Sequence, residues 1–259
     1  MSAASTGQRP LGAQISHMLK AQGVEVIFGI PGVHNQELYR GIEEAGLRHV
    51  LPRHEQGAGF MADGYARATG RPGVVYVITG PGLTNVMTPM GQALTDAVPM
   101  LVVSSCLDPG DWGTGKGKLH EMPDQEGAAA TVSDWSRTAA DAGGAYRLIA
   151  QAFREFRAGR RAPKHVQVPI GLLASPAPGW SDEPDLDSRF LPDPLNVMAA
   201  AGMLRRARRP LVILGGGAAP ATGAVRRLLP RLGAAAFTTY AGRGIVDPDY
   251  PLWLGSTLA

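Results

Sequence analysis

The sequence predicts an α/β fold: a parallel sheet flanked by helices on both faces, followed by the incomplete start of a second α/β domain. Three observations carry this reading. Short segments such as Val74–Ile78 and Met100–Val103 are apolar at every position, as strands buried on both faces must be. They alternate with longer stretches whose apolar residues recur at helical spacing. Gly and Pro fall between the two kinds of segment, where chain direction has to change.

Taken in order, Leu11–Gln22 carries Leu11, Ile15, Met18 and Leu19 on one helical face. Val24–Ile30 is a β-branched apolar run and reads as a strand. His34–Ala45 reads as a helix and Arg48–Leu51 as a short strand. Glu55–Thr69 is a helix with Phe60, Met61, Tyr65 and Ala68 on one face. The strand Val74–Ile78, the helix Leu83–Thr95 and the strand Met100–Val103 follow. The rhythm breaks over 107–133, a Gly-rich stretch read as a long loop; loops of this length inside a domain are usually functional. Ala145–Ala158 is a helix and His165–Val168 a strand. Residues 174–194 are rich in Pro, Asp and Ser and read as a linker. The pattern then restarts with helix Leu195–Arg206, strand Pro210–Leu214, helix Ala219–Leu232 and strand Ala235–Phe237. The expected organisation is thus one domain over 1–173, a linker over 174–194 and a partial domain over 195–259.

Composition narrows the function. Apolar residues make up 44% of the 259, an ordinary globular share. Lys and Arg number 25 against 22 Asp and Glu, a net charge of +3; that balance gives no reason to expect nucleic acid as a partner. A single cysteine, Cys106, excludes a disulfide framework and a multi-cysteine zinc site, and no metal ligand set is expected. No apolar run of about 18 residues predicts a membrane span. Met1–Pro10 lacks the pattern of a secretion signal, so a cytoplasmic location is expected. Gly and Pro, 34 and 21 residues, exceed the usual combined share of about 12%.

The excess has an address. Gly29-Ile30-Pro31-Gly32 closes the first strand, Gly80-Pro81-Gly82 closes Val74–Ile78, and Pro52-Arg53-His54-Glu55-Gln56-Gly57 follows the short strand at Arg48. In a parallel sheet all three lie at carboxyl ends of strands, where open α/β sheets bind ligands. Glycine lets backbone approach a ligand closely. The spacing matches neither the dinucleotide fingerprint nor the P-loop, and His54-Glu55 lacks the second histidine of a zinc protease. No Gly-x-Ser-x-Gly elbow is present. Glu55 stands out: it begins a helix, where the dipole favours a carboxylate, and inside a pocket it can share a proton with a ring nitrogen. The same position also suits a merely stabilising glutamate.

Four segments in this order, Val26-Ile27-Phe28-Gly29-Ile30-Pro31-Gly32, Arg53-His54-Glu55-Gln56-Gly57-Ala58, Met61-Ala62-Asp63-Gly64-Tyr65-Ala66-Arg67 and Thr79-Gly80-Pro81-Gly82-Leu83-Thr84-Asn85, resemble the thiamine diphosphate enzymes. The nearest group holds acetolactate synthase and the 2-oxo acid decarboxylases. The resemblance implies that residues 10–170 form the domain binding the cofactor's aminopyrimidine ring, and that residues after about 195 begin the central domain. It implies that Glu55 is catalytic, hydrogen-bonding that ring so that the cofactor's own nitrogen takes the activating proton. It places Ile30, Pro31 and Gly32 on one wall of the ring's pocket and Thr79, Pro81, Gly82 and Asn85 on another. It also implies a homodimer or tetramer in the complete enzyme, with the active site between subunits.

Three departures shape the expected function. The family's magnesium and diphosphate motif, Gly-Asp-Gly with a later Asn, is absent here; Mg2+ is expected only through a C-terminal domain. Ser105-Cys106 replaces the usual Gly-Gln of acetolactate synthases, and Pro123-Asp124-Gln125-Glu126 replaces Ala-Phe-Gln-Glu. Both changes point away from acetolactate synthesis and from FAD. The stretch Gly117–Gln125 resembles instead the guanidino-oxopentanoate decarboxylase branch, which makes Glu121, Asp124 and Gln125 candidates for binding a cationic 2-oxo acid; a solvated acidic loop is the plainer reading. His34 and His120 read as surface or supporting residues, and Cys106 as a buried small one. Gly215-Gly216-Gly217 reads as a tight turn, and the arginines at 205, 206, 208 and 209 as a solvated helix end. The expected function is decarboxylation of a longer or cationic 2-oxo acid. The alternatives are an acetolactate synthase-like carboligase and a truncated, non-catalytic cofactor-binding module.

Overall fold

The computed structural model describes residues 8–181 and 192–257. The chain divides into two compact units, Met1–Arg189 and Phe190–Ala259. The first contains β1 (Arg9–Pro10), α1 (Leu11–Ala21), β2 (Val26–Gly29), α2 (Gln36–Arg40), β3 (Arg48–Val50), α3 (Glu55–Thr69), β4 (Gly73–Val77) and α4 (Pro81–Asp96). It continues with β5 (Met100–Cys106), α5 (Gln125–Ala130), β6 (Trp135–Thr138), α6 (Ala142–Ala158), β7 (Lys164–Pro169), α7 (Ile170–Ala174) and β8 (Pro176–Ala177). Six strands form a parallel sheet in the order β3-β2-β4-β5-β7-β6.

Side chains along each central strand alternate between two cores. Val74 and Tyr76 of β4 face one side, with Leu11, Ile15, Leu38, Ile149 and Leu173 from α1, α2, α6 and α7. Val75 and Val77 face the other, with Ala58, Ala62, Val86, Met90 and Ala129 from α3, α4 and α5. Every residue of β4 and β5 is buried, which accounts for their unbroken apolar runs. Two interior polar groups beside the sheet, His165 and Lys164, are paired. His165 bonds Ser104 and Ser136 at 2.8 and 2.7 Å, and burial pushes its pKa down to about 3. Lys164 is ion-paired with Asp134 and Glu155.

Several expected elements are corrected. The helix expected over 34–45 is only α2, because Asn35 turns its side chain back onto Gly32 and Ile30. Gly41 then packs so closely on α1 that a Cβ there would lie 2.4 Å from the Ala13 carbonyl oxygen. The stretch 107–133 is not loop throughout: Asp124 caps α5 by accepting from Gly127 N at 2.8 Å. β6 had no apolar run to announce it, since Arg137 of this edge strand is exposed. Of the expected linker 174–194, residues 182–191 lie outside the described residues. Its beginning belongs to the first unit: β8 pairs antiparallel with β1, and Trp180 packs on the core.

The second unit holds α8 (Pro194–Arg206), β9 (Leu211–Leu214), α9 (Thr222–Leu232), β10 (Ala235–Thr239) and β11 (Trp253–Thr257). Its three strands are parallel, in the order β11-β10-β9. β11 is one strand more than the sequence suggested. Gly216–Ala221 is a 3-10 turn, and the four arginines after Leu204 are exposed. No helix among the described residues is long and apolar enough to cross a membrane.

Candidate active site

The layering creates two crevices at the carboxyl edge of the six-stranded sheet. After β2 the chain turns to α2 on one face; after the adjacent β4 it turns to α4 on the other. The same divergence recurs between β5, which leads to α5, and β7, which leads to α7. Such switch points are where parallel sheets leave room for a ligand.

Glu55 and Asn85 meet behind the first crevice. A Cβ on Gly59 would lie 2.2 Å from Pro89 Cγ and 2.9 Å from Val86 Cγ2, so α3 and α4 cross in direct contact there. Glu55 is one turn before Gly59 and Asn85 one turn before Pro89. The crossing therefore brings the pair together, and Asn85 Nδ2 donates to Glu55 Oε2 at 2.9 Å. Glu55 Oε1 has no hydrogen-bond partner among the described residues. His54 caps α3 by accepting from Gln56 N at 3.1 Å, which fixes Glu55 at the first helical position. Burial, Tyr76 and the Glu55 charge together raise the Tyr39 phenol above its ordinary value.

The two turns form the walls. Asn35 Oδ1 accepts from Gly32 N at 2.7 Å and its amide donates to the Ile30 carbonyl at 3.3 Å, which holds Ile30-Pro31-Gly32 in shape. A Cβ on Gly32 would lie 2.8 Å from Ile78 Cγ2. Gly80 has φ +69°, a left-handed backbone that glycine tolerates without strain; a Cβ there would lie 2.6 Å from the His120 carbonyl oxygen. Pro81 begins α4 and Gly82 packs on Ile78. Thr79 points inward: its hydroxyl and its N–H both pair with Ser105 Oγ, at 2.9 and 3.0 Å.

The second crevice is walled by side chains. Gln125 Oε1 accepts from Gly80 N at 2.9 Å, and its amide donates to the Ser105 carbonyl at 2.8 Å and Gln167 Oε1 at 2.9 Å. It is a buried strut between the β4–α4 turn and the ends of β5 and β7. Glu121 is likewise spent inside its own loop. Its oxygens accept from Thr114, Gly115, Gly117 and Lys118. Loss of water pushes its pKa up, but these hydrogen bonds outweigh that and hold the carboxyl below its ordinary value. Both Glu121 and Gln125 are thus engaged in hydrogen bonds within the protein, and Gln125 also lines the cavity beside Asp124.

Asp124 lines this cavity, of about 370 Å³, with Glu126, Trp112, Met122, Thr138 and Cys106. No Lys, Arg or His lines it. Burial and the charges of Asp108 and Glu126 push the Cys106 thiol up to about 12, so it stays protonated. Glu55 and Asn85 lie outside this cavity; Thr79, at the head of the second turn, borders it. Sequence reasoning missed Gly59, Ser105 and Gln167. Of these, only Gly59 left a local signal, its i,i+4 spacing from Glu55.

The site thus combines a glutamate at a helix start with two Gly/Pro turns at a switch point of the sheet. Residues 9–128 match the family described as thiamine pyrophosphate enzyme, N-terminal TPP binding domain, and residues 197–259 match its central domain. The chain belongs to the thiamine pyrophosphate enzyme family. It is 47% identical over 249 residues to "Probable 2-ketoarginine decarboxylase AruI" of Pseudomonas aeruginosa, covering 95% of this chain and 44% of that protein. It is 34% identical over 249 residues to the acetolactate synthase isozyme 2 large subunit of Escherichia coli, covering 94% and 44%. It is 33% identical over 258 residues to the mitochondrial acetolactate synthase catalytic subunit of Saccharomyces cerevisiae, covering 93% and 37%. The chain thus spans less than half the length of these relatives. The residues fit the family's cofactor: Glu55 keeps a carboxylate oxygen without a partner among the described residues, beside two turns in which Gly32, Gly80 and Gly82 leave the backbone open.

Proposed function

We propose that the whole protein is a thiamine diphosphate-dependent decarboxylase of a 2-oxo acid with a cationic, guanidinium-like tail. The observation that carries this reading is the Glu55–Asn85 pair behind the Ile30–Gly32 and Thr79–Gly82 turns. When bound, thiamine diphosphate supplies a carbon nucleophile and an electron sink for loss of carbon dioxide. Glu55 holds a proton at the aminopyrimidine ring nitrogen through Oε1. Asn85 fixes the carboxylate's rotamer through Oε2. Ile30, Pro31, Gly32, Pro81 and Gly82 shape the slot for the ring, and Thr79 braces the second turn through Ser105. Asp124 and Glu126 face the tail in a cavity whose lining carries no cation; carboxylate–guanidinium contacts there are strong and directional.

The remaining parts of the reading rest on the family. Mg2+ and the cofactor's diphosphate are assigned to a C-terminal domain outside this chain, and the working enzyme to a cytoplasmic homodimer or tetramer. FAD has no assigned place. Acetolactate synthesis is the second reading, favoured by the 34% identity to the Escherichia coli large subunit.

The test uses the full-length protein with thiamine diphosphate and Mg2+, offered 5-guanidino-2-oxopentanoate and pyruvate. Carbon dioxide and an aldehyde from the guanidino acid are expected. Acetolactate from pyruvate as the main product, or no consumption of either acid, overturns the proposal.

A further inference from the structure

His34 and His120, far apart in sequence, meet at the first crevice. Their rings stand edge to face with centroids 5.1 Å apart. His34 follows the Ile30–Gly32 turn, and His120 lies against Gly80 in the second. The Nδ1 atoms of both are buried and have no hydrogen-bond partner. Buried polar atoms are nearly always paired, and each exception needs a reason. His120 also has φ +63°, a costly conformation for a residue with a side chain, so the fold pays to place it there.

Elimination points to what the pair does. A 2-oxo acid brings a carboxylate to its reacting carbon, and that charge needs a partner. The turns themselves are poor in side-chain donors: Ile30, Pro31, Gly32, Pro81 and Gly82 have none. The Thr79 hydroxyl is engaged with Ser105 and the Asn85 amide with Glu55, and Glu55 is itself an acid. His34 and His120 are the two groups at these turns that keep an uncommitted polar atom and can become positive.

Resting on the decarboxylase reading, we propose that His34 and His120 form the seat of the substrate carboxylate and take up a proton from solvent when the anion arrives. Burial first, and then the neighbouring His120, lower the pKa of His34, which disfavours its charged form while the seat is empty. An anion reverses that balance, because it favours the charged form. The other charged groups on the packed elements are engaged or distant in role. Glu121 is tied to its own loop, Lys118 pairs with Asp111 at 3.3 Å, and Glu37 pairs with Arg40. Lys116 is exposed on the same loop.

The experiment is calorimetry on the full-length protein loaded with thiamine diphosphate and Mg2+. The probe is oxamate, an unreactive isostere of a 2-oxo acid, in two buffers of different ionisation enthalpy at about pH 7.5, above the ordinary imidazole range. The wild type takes up a proton on binding. His34→Gln and His120→Gln keep a polar side chain but lose the uptake, and each weakens oxamate binding about tenfold, a change of about 1.4 kcal/mol. Cofactor affinity and thermal midpoint are unchanged. If either variant fails to fold, ring 15N signals of the wild type give the same answer: oxamate shifts both histidines toward the protonated form. Uptake unchanged in the variants, or imidazole signals that ignore oxamate, overturns the assignment while carbon dioxide release from a 2-oxo acid still upholds the decarboxylase reading. A wild type that neither consumes a 2-oxo acid nor binds oxamate overturns both.

Discussion

The two crevices lie along one edge of one sheet, yet their walls are made of different material. Beside β2 and β4 the walls are backbone: Gly32, Gly80 and Gly82 sit where a Cβ would strike Ile78 or His120. Beside β5 and β7 the walls are side chains: Gln125, Ser105, Gln167 and Thr138 hydrogen-bond one another around a cavity edged by two carboxylates. Backbone walls fix a shape and tolerate almost no substitution. Side-chain walls can be exchanged residue by residue, which suits the part of a site where substrates differ between relatives. Gln125 joins the two by holding Gly80 N.

That contrast can be broken by experiment. The largest effect is expected at Glu55. Glu55→Gln in the full-length protein should lower kcat by roughly 10²–10⁴-fold, the usual worth of a positioned acid–base group. The thermal midpoint should barely move, since Asn85 can still donate to the amide oxygen. Near-normal turnover would remove Glu55 from the chemistry.

Gly80→Ala should come next. It forces a side chain into a left-handed conformation and against the His120 carbonyl, and strain of this kind costs on the order of 1–3 kcal/mol before the clash. Denaturant unfolding should show a loss of about 3 kcal/mol in unfolding free energy, and loss of activity should follow. A silent substitution would show that this wall is softer than its geometry implies.

Gln125→Ala should be milder. It leaves Gly80 N–H and the Ser105 carbonyl without partners, at about 1–3 kcal/mol for a buried unsatisfied group. Its signature should be selective: KM for the guanidino acid rises more than kcat falls, because Gln125 lines the cavity directly and touches the ring slot only through Gly80 N. An equal loss in both parameters would erase the distinction between the two crevices.

Much of this was legible in the sequence. β4 and the first half of β5 announced themselves because Val74–Val77 and Met100–Val103 are buried on both faces and apolar throughout, and α3 because its start and period coincide. The turns at Ile30–Gly32 and Gly80–Gly82 were legible because Gly and Pro mark changes of direction. β6 was not, because an edge strand half in water carries no apolar run. The shortness of α2 was not, because it depends on Asn35 reaching back and on Gly41 meeting α1. The expected trio of Glu121, Asp124 and Gln125 came apart for the same reason: which lone pairs are already filled depends on how the loop folds back upon itself.

The sequence by itself determined the parallel α/β layering, the two Gly/Pro turns at the carboxyl ends of strands and the candidacy of Glu55, since each is written in a local pattern of polarity or backbone freedom. Only the tertiary structure decided that Asn85 holds Glu55, that Gln125 ties the β4–α4 turn to the ends of β5 and β7, and that His34 and His120 share one crevice. Those facts follow from a helix crossing at Gly59 and from a loop returning across the sheet edge. Both are long-range contacts, fixed by packing and carried by no local run of residues.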